Sequence, residues 1–185
     1  MKRFVYVLAA LFVASCAQTT SPPPAPVAPV AKLKDGELAV PAGYKSWTSR
    51  MTNIQRPDTK QIRDIYVNAT GAANKAGGKF ANGTVSVMEI YAAEVSADGV
   101  PVKGADGNMV KAKLLKVFVM GKGAGWGDSA PAGLKNGDWV YAGYLADAKT
   151  AAPDPTLACR GCHLPLGEEK DFFHRYDEYF QKRGS

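Results

Sequence analysis

Two cysteines and a histidine near the end of the chain carry its sharpest chemistry, in the run Cys159-Arg160-Gly161-Cys162-His163. The pattern is Cys-x-x-Cys-His, the attachment signature of a c-type haem. Two thiols three positions apart lie on one side of a helical turn, where each can form a thioether with a porphyrin vinyl group. The adjacent His163 can then present its imidazole to the iron as proximal ligand. Its other ring nitrogen is expected to donate to a backbone carbonyl, which fixes the tautomer. Two other readings compete. A zinc site needs four ligands, and a chain with three Cys and two His has too few to spare. A thioredoxin-like dithiol belongs in a βαβ setting, which the sequence lacks. One covalent haem c is therefore the expected cofactor.

The elements that must position this motif read as a β-rich α+β domain: an antiparallel sheet, a few short helices, and the attachment turn and an amphipathic helix at the C-terminus. Residues 41–50 suggest a short helix with Tyr44 and Trp47 on one face. Residues 62–68 are rich in β-branched and aromatic side chains and read as a strand. Residues 70–78 read as an Ala-rich helix stopped by glycine. The clearest strand covers residues 84–95, with Val85, Val87, Glu89 and Tyr91 on one face and Ser86, Met88 and Ile90 on the other. Residues 110–120 form its expected hairpin partner, with Val110, Ala112, Leu114, Phe118 and Met120 on one side. Residues 121–137 are Gly-rich and irregular, and 138–145 read as a further strand. Residues 168–182 carry Phe172, Phe173, Tyr176, Tyr179 and Phe180 at helical spacing, with acids early and bases late, and suggest the closing helix.

The N-terminus reads as an address. Lys2 and Arg3 precede an apolar run, residues 4–13, which is too short to span a bilayer as a helix. The run ends in Val13-Ala14-Ser15-Cys16, which resembles a bacterial lipobox with Cys16 as the lipidated residue. Residues 1–15 are thus expected to be a signal peptide. Residues 16–37 would be a lipidated cysteine and Pro-rich spacer, and 38–185 the haem domain. The expected location is the cell envelope, lipid-anchored on the periplasmic side of the outer membrane in a two-membrane cell. The formal net charge of +6 is spread along the chain without a basic run, which argues against nucleic acid as a partner.

The late motif behind a strand-rich domain resembles the cytochrome P460 / cytochrome c′-β family over roughly residues 43–180. The residues that carry the resemblance are Asn82-Gly83-Thr84 with Glu89, Val117-Phe118-Val119-Met120 followed by Lys122, Asp138-Trp139-Val140-Tyr141, and the terminal Cys159 to His163. The resemblance implies a β-rich homodimer and a five-coordinate haem whose open face binds a diatomic such as NO or an N-oxide such as hydroxylamine. It also implies, in the P460 branch, a lysine cross-linked to the porphyrin and a distal carboxylate that removes protons during hydroxylamine oxidation. Lys75 and Lys79 are the candidate lysines, with Lys79 favoured for its closeness to the strand, and Glu89 is the candidate acid. Glu89 has a second reading, as a buried carboxylate paired with a base or a backbone donor. No Asp or Glu occurs from residue 107 to 127, so an acid on the second strand is absent.

Two functions remain. One is a small-ligand haem protein that binds, and in the enzymatic version oxidises or detoxifies, NO or hydroxylamine. The other is a six-coordinate electron-transfer cytochrome serving a redox partner cytochrome. Its sixth ligand would come from His174, Met88, Met109 or Met120. The open face of the first would be capped by Phe80, Phe118 or Tyr66.

Overall fold

The computed structural model describes residues 31–74, 78–153 and 155–174. Five strands, β1 (Ser49–Arg56), β2 (Gln61–Val67), β3 (Val85–Ala93), β4 (Lys111–Lys122) and β5 (Trp139–Leu145), form one sheet in the order β1-β2-β3-β4-β5. Every neighbouring pair is antiparallel, so the sheet is a simple meander. The β-rich α+β expectation therefore holds. Among the described residues two α-helices accompany the sheet: α1 (Ala69–Ala72), capped by the Asn68 side chain, and α2 (Pro155–His163). The attachment motif occupies the last half of α2.

Strand alternation sorts the sheet into two faces. On one, Tyr66, Val87, Val119 and Ala142 lie side by side across β2–β5, and Leu38, Tyr44 and Tyr144 bury them. On the other, Val67, Met120 and Tyr141 pack with Phe80, Trp139, Phe172 and Phe173 beneath α2. The expected faces of β3 are those observed. On β4 the expected single apolar side is not. Ile90 pairs with Lys116 but Tyr91 pairs with Leu114, so β4 carries one extra residue at Leu115. That bulge turns Leu114 to the first face while Phe118 and Met120 stay on the second.

Other expectations shift. Residues 41–50 hold only a 3-10 turn, Tyr44–Ser46, entered through Gly43 at φ 74, and Ser49 already begins β1. The Tyr44–Trp47 contact survives, edge to face at 6.5 Å. The helix expected over 70–78 is the single turn α1, and residues 75–77 lie outside the described residues. The helix expected from Glu168 does not start there. A 3-10 turn, Glu168–Lys170, is followed by Asp171 and Phe172 at φ 50 and 52, which no continuing right-handed helix can contain. Residues 175–182 lie outside the described residues.

The domain also takes in more of the chain than a start at Leu38. Lys32 pairs with Asp128 at 2.7 Å, Gly36 N–H donates to the Tyr141 carbonyl, and Asp35 accepts from Tyr141 N–H. This strap covers the β5 edge, whose remaining groups meet Thr150 and Ala152. An unpaired edge would invite pairing with another chain.

Candidate haem site

A cavity of about 440 Å³ lies between α2 and the second face of the sheet. Its helix side carries Ala158, Cys159, Cys162 and His163, and the chain after the helix adds Phe173 and His174. Its sheet side can be read in rows, because the register aligns residues across strands. The first row, nearest α2, is Ser86, Met120 and Tyr141; the second is Ile65, Met88 and Phe118; the third is Arg63, Ile90 and Lys116. Arg56, on β1 opposite Gln61 and so one row beyond, adds a further cation to the lining. The outer rows are four residues apart along a strand, about 13 Å at the ordinary strand rise. The wall thus runs from nearly apolar at the attachment helix to cationic at its far end.

Each motif residue has a defined setting. His163 Nδ1 lies 2.7 Å from the Phe172 carbonyl, and a carbonyl can only accept. The proton is therefore on Nδ1, and the Nε2 lone pair is left for a metal, as the sequence reading expects. Burial pushes the His163 pKa down to about 4, with His174 adding to the effect, so the ring is neutral near pH 7. The Cys159 thiol is pushed up to about 11 by burial and by Cys162 beside it. Arg160, between the cysteines, is almost fully buried. Its guanidinium grips Asp35 through Nε and Nη2 at 2.6 and 2.9 Å and donates to the Leu134 and Trp139 carbonyls. It also lies over the Tyr141 ring, 5.2 Å from its centre.

The other site candidates are scattered. Glu89 is fully buried, but on the first face, away from the cavity. Its carboxylate accepts from the hydroxyls of Tyr44, Tyr66 and Tyr91 at 2.7, 3.1 and 2.9 Å and pairs with Lys45 at 2.7 Å. Burial pushes its pKa up, yet the bonds from Lys45, Tyr44 and Tyr91 outweigh burial and hold it below the usual carboxylate value. The paired reading of Glu89 is the one its surroundings match, and the distal-acid reading is not. Lys79 is exposed and does not line the cavity, and Lys75 lies outside the described residues. Of the expected caps, Phe118 lines the cavity, Phe80 is packed on Phe173 and Trp139, and Tyr66 faces Glu89.

Among the candidate sixth ligands, Met88, Met120 and His174 reach the cavity, while Met109 is buried with Ile62 and Ala93. His174 stands against His163, ring centres 4.9 Å apart, with its Nε2 3.7 Å from Cys162 Sγ. Rings in that contact leave no room for a porphyrin between them. Sequence reasoning did not find Arg56, Arg63 and Lys116 at the cavity, nor the grip of Asp35 on Arg160. No local pattern marks these cations, and only the register reveals that they converge.

These features suit a haem-binding domain: two thiols three positions apart at the cavity, a neutral histidine whose Nε2 lone pair is left for a metal, and an amphiphilic cleft. The sequence matches the family described as Cytochrome P460 over residues 41–175, and the chain belongs to that family of haem c cytochromes that bind small nitrogen ligands. No curated protein matches the chain.

Proposed function

We propose that this chain is an exported monohaem cytochrome that holds its haem covalently and binds a neutral nitrogen ligand, NO in the first instance, at an open axial position. The donor set and the cleft both suit the group. Cys159 and Cys162 would hold the vinyl edge and His163 the iron. The apolar rows Ile65, Met88 and Phe118 would lie against the ring. Arg63, Lys116 and Arg56 would meet the carboxylates at the porphyrin's opposite edge, where a charge-assisted bond is strongest. Haem iron supplies the open coordination position when the group is bound. Among the described residues the sheet wall offers no carboxylate.

The observation that carries this reading is the cavity wall itself. Among the described residues it contains no Asp or Glu, and Glu89 is turned to the other face of the sheet. Among the described residues no carboxylate is provided there to strip protons from hydroxylamine, and Lys79 is exposed. This favours binding and sequestration over oxidation. The purified ferrous protein is expected to be high-spin and to take up CO or NO at once. A low-spin native spectrum, lost on replacing Met88, Met120 or His174, would establish the electron carrier instead. A strongly red-shifted spectrum would report a lysine cross-link and reopen oxidation.

The address belongs to the same proposal. Residues 1–15 direct export, Cys16 carries the lipid, and the Pro-rich run holds the domain off a membrane of the cell envelope. A homodimer and a redox partner cytochrome complete the reading. Mass spectrometry of the native N-terminus tests the anchor, since an unmodified Cys16 would refute it.

A further inference from the structure

We infer that the buried Lys122–Asp171 ion pair is a positioning device for His163, acting through the Phe172 carbonyl; the inference rests on the haem reading above. Lys122 Nζ lies 2.6 Å from Asp171 Oδ2, with side chains 9% and 5% exposed. Ion pairs so buried are costly to desolvate and are weak evidence of stability for its own sake. The pair's location supplies a reason for it. Asp171 and Phe172 are consecutive non-glycine residues in the left-handed region, at φ 50 and 52. Each such residue costs about 1–3 kcal/mol and persists only where its surroundings over-determine it.

Asp171 is held from three sides. Its Oδ2 also accepts from Phe80 N–H at 2.7 Å, and its carbonyl accepts from Trp139 Nε1 at 2.8 Å. The double left-handed turn aims the next carbonyl, that of Phe172, at His163 Nδ1, 2.7 Å away. The end of β4 therefore reaches the histidine by a continuous path: Lys122, the Asp171 carboxylate, the Phe172 carbonyl, the imidazole. A carbonyl held firmly on Nδ1–H fixes the tautomer and makes Nε2 a stronger donor. Loosening it weakens the bond from Nε2 to iron.

The test uses the holoprotein and three variants: Lys122→Met, Lys122→Gln and Asp171→Asn. The readout is the iron–histidine stretch of the ferrous protein by resonance Raman. Met and Asn remove opposite charges, so a through-space charge effect moves the midpoint potential in opposite directions. Loss of the carbonyl's hold lowers the stretching frequency in both. The expected result is that common downshift, with Lys122→Gln between wild type and Lys122→Met, because its amide still donates to Asp171. Frequencies that stay at the wild-type value while melting temperatures fall would overturn the inference and leave a purely structural pair. Lys122→Gln keeps the test open if the Met variant does not fold. The wild-type spectrum alone decides whether the iron is five-coordinate, so failure of the functional reading is seen separately from failure of this one.

Discussion

The two faces of the sheet are built on opposite principles from the same strands. The face toward residues 33–47 is closed: Val87 and Val117 are fully buried, and its buried carboxylates are satisfied, Glu89 by three hydroxyls and a lysine and Asp64, opposite it on β2, by Asn53 N–H and Lys111. The face toward α2 is open: Met88 and Phe118 are only half-buried and border a cavity. Glu89 and Met88 are neighbours in the chain. One secures the fold and the other lines the site, and strand alternation alone divides the work. Polarity inside a haem protein is thus no guide to where its chemistry lies. Here the most elaborate buried polar group stands behind the wall of the site.

Variants on the two faces should separate stability from haem properties. The largest effect is expected from Cys159→Ser with Cys162→Ser, which should abolish covalent haem, as intact mass will show; retained haem mass would end the haem reading. Next, Glu89→Ala leaves the hydroxyls of Tyr44, Tyr66 and Tyr91 without their acceptor and should cost several kcal/mol, at about 1–3 kcal/mol for each buried group left unsatisfied. Denaturant titration measures the loss, and the spectrum of the folded fraction should match wild type. A shifted spectrum would break the division between the faces.

The same residue gives a pH test. Its folded pKa lies below the unfolded value, so its contribution is present above the unfolded pKa, about 4.3, and is lost as pH falls through the folded value. Glu89→Gln should therefore be clearly less stable than wild type at neutral pH, with the gap narrowing below about pH 4. A gap independent of pH would mean that the carboxylate's charge is not what the tyrosines and Lys45 stabilise.

On the open face the effects reverse. Phe118→Ala should cost only about 1–2 kcal/mol, less than for a fully buried phenylalanine, yet change the rate of CO association several-fold by flash photolysis. Smallest of all, Met88→Leu should cost less than about 1.5 kcal/mol and leave the native spectrum as it was. A low-spin spectrum that turns high-spin in this variant would make Met88 a ligand and the protein an electron carrier.

How legible this was in the sequence depends on the range of each interaction. The motif, its helix and the acceptor on His163 follow from local spacing and elementary ligand chemistry. The faces of β3 follow from strict alternation between Val85 and Tyr91. β1 has no clear signal in the sequence because Asn53, at φ 63, interrupts its register and breaks its alternation. Alternation alone puts Leu114 with Phe118, because the Leu115 bulge has no local signature. The cationic row depends on the joint register of β2, β3 and β4. The pairs Lys122–Asp171 and Asp35–Arg160 join residues distant in the chain, which no short pattern can associate.

Arg160 has a consequence for biogenesis. It lies between the two thiols of the motif, yet the finished domain encloses it, with residues 31–38 fastened across it through Asp35. The Cys159 thiol beside it is half-buried and yields little thiolate. If haem is joined covalently, as proposed above, attachment is expected to precede fastening of the strap, and the grip of Asp35 on Arg160 would then form only in the finished domain.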